Sequence, residues 1–387
     1  MGGRSSYIYQ KEGLNKYLLH QSIFNFLKSI VHISEANNKP DSGMGRISFY
    51  WSEEFKKRGY KYIHIGPDEI GKINNRSFFG FKALRYFIKL NIIPSALIVH
   101  EPLSGYFTHL GIPTFLESHG IESRYEHLIK KYSIANQFMI TFKSKIFSFL
   151  RLLSCAIGLK YSSKLLLSNS EDASFVKYEY KRNSQDIFIF NNGVMPIPAS
   201  FQAEKRDRFT VMFNGSFIPR KGISTLIEAA KLIAEKGIEI DYLLVGTGLD
   251  SDTVHAFWPE HLHKKLLVVS SFEDMDEIKY LSMASVFVLP SFFEGQPLSL
   301  LQAMSFGVCS ITTNCCGQKD IITHEKNGFL FEPGDHVELS RIISQLVNDD
   351  SLRESVGKKG KEILSTRTWD QVAGSLVNYV EENLAQH

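Results

Sequence analysis

The feature that most constrains this chain is a rhythm: short apolar runs alternate with amphipathic stretches, stop at a polar break, and begin again. Before the break, Ser29–Ile33, Tyr60–Ile65, Ala96–Val99, Pro113–Leu116, Leu165–Leu167 and Ile187–Phe190 read as strands, with a helix from Ile47 to about Lys57 that Gly59 ends. After it, Thr210–Phe213, Tyr242–Val245, Leu266–Val269, Val286–Leu289 and Ser310–Thr312 repeat the pattern, separated by helices such as Thr225–Glu235 and Glu277–Met283. Runs that are apolar throughout belong to parallel strands covered on both faces by helices. The break, residues 195–207, carries Pro196 and Pro198 and little periodicity, as a linker does.

The expected fold is therefore α/β, with two Rossmann-like doubly wound domains facing a central cleft. Residues 27–194 form the first domain and 208–368 the second, while residues 1–26 are an extension ahead of the fold. A helix over Trp369–Leu384, within 369–387, is free to pack back on the first domain. A length of 387 residues, beyond what one core usually serves, agrees with two domains. Ligands of such sheets bind at the carboxyl ends of the strands, here inside the cleft.

Charge narrows the partners. Lys plus Arg number 44 against 41 Asp plus Glu, so a net charge of +3 gives no field that would draw nucleic acid. Attraction to anions must be local. Cys155, Cys309, Cys315 and Cys316 have neither zinc-ribbon spacing nor disulfide-scaffold density, which fits a reducing compartment. No apolar run is long enough to span a bilayer, and Lys11, Lys16 and Lys28 interrupt any signal-peptide layout. The expectation is a cytoplasmic protein, at most peripheral at a membrane.

The densest chemical signal is Pro290–Met304, directly after a strand. Pro297 suits the first helical position and Gly307 the stop, so the amides of Gln296, Leu298 and Ser299 are expected to open a helix toward the cleft. A helix N-terminus carries about half a positive charge and free donors, which suits a diphosphate. Glu294 is placed for sugar hydroxyls and Gln302 for ribose. A plain buried strand–loop–helix unit is the other reading of this segment taken alone. Upstream, Phe213–Gly222 runs from strand into a loop holding Gly215 and Ser216 and the adjacent cations Arg220 and Lys221. Two cations at such a turn can neutralise a departing diphosphate, although a basic pair on its own also fits a solvated surface.

Together these residues resemble glycosyltransferase family 4, the retaining enzymes of GT-B architecture. The likeness rests on Gly215–Gly222, Val245–Gly248, Pro290–Met304, and Asn327–Leu330 with Pro333 and Asp335; Ser42–Arg46, Glu117–Glu122 and Phe190–Val194 carry it in the first half. It covers roughly residues 28–370 and is looser before residue 112. The resemblance implies that Lys221 holds the diphosphate, Glu294 binds donor hydroxyls, and Gly43 and Gly45 form a turn that lets backbone approach the phosphates. It makes His119 a cleft histidine near the transferred sugar, although by itself His119 is equally a loop histidine. Gly246 and Gly295 fall in matching donor loops. Phe272 and Val269 either flank the base or pack.

The implied reaction is retaining transfer from a nucleotide-diphosphate sugar, UDP-linked first with GDP or ADP as alternatives, to a lipid-linked or oligosaccharide acceptor, with no metal or organic cofactor. Two departures stand out: Gln302 replaces the family's second glutamate, and Ser216 its arginine. They leave room for a catalytically silent relative; a GT-B nucleotide-sugar epimerase is a further alternative.

Other signals are weaker. Asp250 with Asp252, and Asp274 with Asp276, imitate a metal site but lie in unrelated contexts. His261 and His263 lack further spaced ligands. Gly246–Gly248 lacks the third glycine of a dinucleotide fingerprint. Residues 138–161 mix Phe, Ile and Leu with Lys143, Lys145, Arg151 and Lys160. That pattern suits contact with anionic lipid, or a buried helix with snorkelling cations.

Overall fold

The computed structural model describes residues 28–40, 43–71, 78–131, 142–198, 200–201, 208–273 and 276–385. The expected extension at 1–26 lies outside them, as does most of the linker. The first half holds β1 (Ser29–Ile33), β2 (Lys61–Ile65), β3 (Ala96–His100), β4 (Thr114–Ser118), β5 (Lys164–Leu167) and β6 (Ile187–Ile189). The second holds β7 (Thr210–Asn214), β8 (Asp241–Val245), β9 (Leu266–Val269), β10 (Val286–Leu289), β11 (Cys309–Thr313) and β12 (Phe329–Phe331). Covering helices include α1 (Gly43–Lys57), α2 (Phe79–Lys89), α3 (Phe142–Tyr161), α4 (Ile223–Glu235), α5 (Leu298–Phe306), α6 (Cys316–Ile321) and α7 (Trp369–Leu384).

Each half is a six-stranded sheet, ordered β2-β1-β3-β4-β5-β6 and β12-β11-β10-β7-β8-β9, and every strand pairing is parallel. In the first half the two-residue strand period divides strands between separate cores. Ile30, Ala96 and Ile98 join the α1 side, whereas Val31, Leu97 and Val99 join the α2 side. Fold and expectation agree on a GT-B architecture. The strand β12 was not anticipated, because three residues are too few to show a period.

The helix α7 returns to the first sheet. Trp369, Val372, Leu376 and Val380 share a core with Trp51, Phe55 and Phe115, and Tyr50 stacks on Trp369 at 4.6 Å. Burial of such side chains contributes about 1.5–3 kcal/mol each. Arg58 adds bonds to Glu381 (2.7 Å) and the Gly374 carbonyl (3.2 Å). The chain thus crosses between the halves twice, side by side, where the Val194 amide donates to the Arg367 carbonyl at 3.0 Å.

The strand order fixes where a ligand can sit. In the second sheet it reverses between β7 and β10, and in the first between β1 and β3. Loops leaving such a pair in opposite directions open a crevice at the carboxyl ends. The two crevices face each other.

Candidate active site

Between them lies a cleft of about 960 Å³, lined from the second half by the loops after β7 and β10 and from the first by α1 and the loops after β1, β3 and β4. The two second-half loops touch closely. A Cβ at Gly222, whose φ is +69°, would stand 1.9 Å from the Pro290 carbonyl oxygen, so only glycine fits. The Phe292 amide donates to the Arg220 carbonyl at 2.9 Å, and Arg220 Nη1 to the Phe293 carbonyl at 2.7 Å.

These bonds aim both cations at one carboxylate. Glu294 Oε1 lies 2.7 Å from Lys221 Nζ and 3.1 Å from Arg220 Nη1. Burial works against the Glu294 charge, but Arg220 and Lys221 outweigh it and hold the carboxyl at about 2. Two cations against one anion leave the cluster positive, next to the start of α5. Gly215 lies against Lys221, and Ser216 lines the same wall. Gly246 and Phe272 line the far end in mutual contact, beside an Asn214–Glu277 hydrogen bond of 2.8 Å.

Several placements differ from the sequence reading. Pro297 is the N-cap, with φ −72° and ψ 117°, and the helix begins at Leu298. Leu298 and Ser299 therefore carry its free amides toward the cleft, and Gly307 caps the far end in the left-handed region. Gln296 lines the cleft, but its side chain turns to the first domain: the Asn192 amide donates to Oε1, and Asn192 Nδ2 donates to the Gln296 carbonyl at 2.9 Å.

Gln302 does not reach the cleft. It is 4% exposed and clasps the linker, accepting from the Met195 amide at 3.0 Å and donating to the Met195 carbonyl at 3.2 Å. Ribose recognition by Gln302 is thus corrected to a structural clasp. Gly295 lines the cleft at the contact between halves, where a Cβ would sit 2.1 Å from the His119 carbonyl oxygen.

On the first-half wall, Gly43 and Gly45 lie in the first turn of α1 rather than in a loop, because the helix starts four residues earlier than expected. Gly43 opens on the cleft, whereas Gly45 is buried. His119 lines the cleft opposite Gly295 and packs edge-on against Phe190.

Sequence reasoning missed Glu35, Glu122 and Tyr125. Arg151, read above as part of either a lipid-contacting stretch or a buried helix with snorkelling cations, turns inward and grips Glu35 with two bonds (2.7 and 2.8 Å) and Glu122 with one (2.8 Å). Glu122 closes the Glu117–Glu122 motif, which was the available signal; Glu35 and Arg151 offered none. Two buried groups also line this wall: burial pushes His100 down to about 4 and Glu101 up to about 8. Phe149, Leu150 and Leu153 on α3 are exposed; residues 138–141 lie outside the described residues. Asp250 caps a short helix through the Thr253 amide. Among the described residues, no group of three His, Cys, Asp or Glu is placed to hold a metal, and no helix is long and apolar enough to cross a membrane.

Two parallel Rossmann-like sheets with facing crevices define the GT-B fold, here with a cationic loop on the second-half wall. Residues 198–363 match the family model described as glycosyl transferases group 1. The chain is 28% identical, over 46% of its length and 48% of the relative's, to the capsular polysaccharide biosynthesis glycosyltransferase CapM of Staphylococcus aureus. It is 29% identical, over 50% and 53%, to the UDP-Gal:alpha-D-GlcNAc-diphosphoundecaprenol alpha-1,3-galactosyltransferase of Escherichia coli. The chain spans about half the length of these curated relatives. Sucrose-phosphate synthase from Thermosynechococcus elongatus shares the fold at a TM-score of 0.76 and 18% identity, over 93% of this chain and all of that one. The solved-structure match shows the GT-B fold, and the sequence likeness to glycosyltransferases is concentrated in residues 198–363.

Proposed function

We propose that this chain transfers a sugar from a UDP-linked donor to a hydroxyl of a lipid-linked or oligosaccharide acceptor in surface polysaccharide synthesis, with retention of anomeric configuration, as in family 4. The carrying observation is the Arg220–Lys221–Glu294 cluster beside the start of α5, at the switch point of the second sheet. Paired phosphates bound there face Lys221, Arg220 and the amides of Leu298 and Ser299, all of which favour the dianion as it departs. Freed from part of its ion pairing, the Glu294 carboxylate accepts from donor hydroxyls. Phe272 and Gly246 take the base end.

The acceptor enters along the wall of Glu35, Arg151 and Glu122, and its hydroxyl attacks the anomeric carbon from the face the diphosphate leaves, giving its proton to the departing phosphate. A metal is not required, because the two cations and the helix terminus supply the charge a metal would bring. The apolar α3 face, with Phe149, Leu150 and Leu153, suits an anionic membrane at the cytoplasmic side. The named activities of the two relatives, one using a UDP-sugar and a lipid-linked acceptor, support this reading.

The test measures nucleotide release from UDP-glucose, UDP-galactose, UDP-N-acetylglucosamine, GDP-mannose and ADP-glucose, with and without undecaprenyl-diphosphate-linked N-acetylglucosamine. Acceptor-stimulated UDP release is expected. Tight binding without turnover, or acceptor-independent release of free sugar, refutes the proposal.

A further inference from the structure

Behind the cleft wall lies a chain of polar side chains that the transfer scheme above does not use. Tyr62 on β2, His32 on β1 and Glu117 on β4 reach across the first sheet to His119 in the loop beyond. The Tyr62 hydroxyl is 2.5 Å from His32 Nδ1, His32 Nε2 is 2.7 Å from Glu117 Oε2, and Glu117 Oε1 is 2.8 Å from His119 Nε2. His32 and Glu117 are fully buried; His119 alone opens on the cleft. Trp51 stacks over His32 and Phe190 meets His119, so both rings are confined.

We infer that Glu117 is a positioning residue that fixes the tautomer and orientation of His119, so that Nε2–H points into the protein and Nδ1 is the ring nitrogen left for the sugar. This rests on the transferase reading of the cleft.

The protons can be assigned. Burial and the Glu117 charge raise the Tyr62 phenol well above its ordinary value, so it stays protonated, and with the carboxylate of Glu117 on Nε2 the His32 tautomer that satisfies both contacts accepts the Tyr62 hydrogen bond at Nδ1. His32 then carries its proton on Nε2 and donates to Glu117. Burial opposes the Glu117 charge, but His32 and His119 overcome it and keep the carboxyl well below the usual range. One oxygen is thus committed to His32. The other has no aligned donor and faces His119 Nε2 at 2.8 Å, within ion-pair distance.

A buried charge of this kind is a poor way to gain stability, since apolar residues of similar volume usually do as well or better. Its value is specificity: an imidazole whose second nitrogen is tied to a carboxylate presents one defined nitrogen to its ligand. Negative charge behind the ring also favours positive character in it as the diphosphate leaves. Glu117 itself does not line the cleft, and so can act only through His119.

The experiment is a double-mutant cycle of E117Q, H119Q and the pair, read as kcat and KM for UDP release from UDP-glucose, beside thermal midpoints. E117Q should lower kcat about 10- to 100-fold with the donor KM held within about twofold, as when an outer-shell partner of a functional imidazole is removed. In the H119Q background the same change should alter kcat less than about twofold, while any loss of thermal stability persists. Additive kcat losses overturn the inference. Imidazole 15N spectra of the wild-type protein provide a readout that depends on neither turnover nor variant folding. Neutral His119 protonated on Nε2 supports the inference, and protonation on Nδ1 refutes it. If the wild type releases no UDP, the transferase reading falls while the spectra still decide the tautomer.

Discussion

Replacing Gly295 by alanine should separate the two walls of the cleft. The added methyl group would stand 2.1 Å from the His119 carbonyl oxygen, 2.5 Å from its carbon and 2.6 Å from Ser168 Oγ. Ordinary carbon–oxygen contact begins near 3.3 Å, so the walls must part by about 1.2 Å. The nearest atoms are backbone on both sides, and no flexible side chain can absorb the shift. Gly295 adjoins the carboxylate and cations of the donor side, whereas His119 belongs to the opposite wall, so the displacement falls between the reacting groups. A misplacement of about 1 Å costs on the order of 100-fold in rate, and overpacking costs about 1–3 kcal/mol of stability. Initial rates of UDP release and urea unfolding curves measure the two. Gly43→Ala is the control, because a methyl group there meets nothing within 4 Å and its thermal midpoint should not fall. G295A with wild-type kcat would refute the close approach of the walls.

Four further outcomes follow from the same geometry. Lys221→Ala should lower kcat about 100- to 1,000-fold through loss of leaving-group stabilisation. Gln302→Glu should keep kcat within about twofold but lose about 1–3 kcal/mol, because a carboxylate cannot donate to the Met195 carbonyl; equal kcat losses in the two variants contradict the assigned roles. Phe272→Ala should raise the donor KM about tenfold with kcat unchanged, the loss of one base–aromatic stack. Glu294 titrates at about 2 in the fold against 4.5 ordinarily, so the unfolded chain binds its proton first as pH falls. Its contribution, about 3 kcal/mol, is complete above pH 4.5 and is withdrawn as pH drops toward 2. Urea unfolding of E294Q across that window should show a flatter pH slope than the wild type, and parallel slopes would contradict the ion pairing.

Strands were the legible part of the sequence for a physical reason. A strand buried on both faces, such as Val286–Leu289, is an unbroken apolar run, and its bounds coincide with those observed. Helix starts were harder. α1 opens on Gly43 and Gly45, which local propensity disfavours, but Arg46 Nε anchors the turn by donating to the Pro40 carbonyl at 2.7 Å. The cleft loops stood out because glycines and cations are concentrated at strand ends. Gln302 misled because its partner lies 107 positions away in the linker, and nothing near it in sequence signals the clasp. Arg151 misled likewise: an arginine among apolar residues reads as amphipathic until the fold supplies Glu35 and Glu122.

The close contacts also constrain how this cleft can work. Gly295 meets His119, a Cβ at Gly120 would fall 2.6 Å from Phe293, and Gly317 backs the Gly295 carbonyl so closely that a Cβ there would lie 1.7 Å from it. Ser170 of the first half hydrogen-bonds Asp320 of the second through its amide at 2.6 Å. The segment that carries Glu294 is therefore also the seam between the halves. Glu294 is directly followed by the Gly295–Gln296 segment that bonds Asn192 of the first half. In the proposed reading, donor binding at Glu294 and the seam are thus mechanically linked, and the two chain crossings meet where the Val194 amide donates to the Arg367 carbonyl. In the proposed reading, that coupling is how the cleft excludes water during transfer: a diphosphate held at the seam brings the walls together.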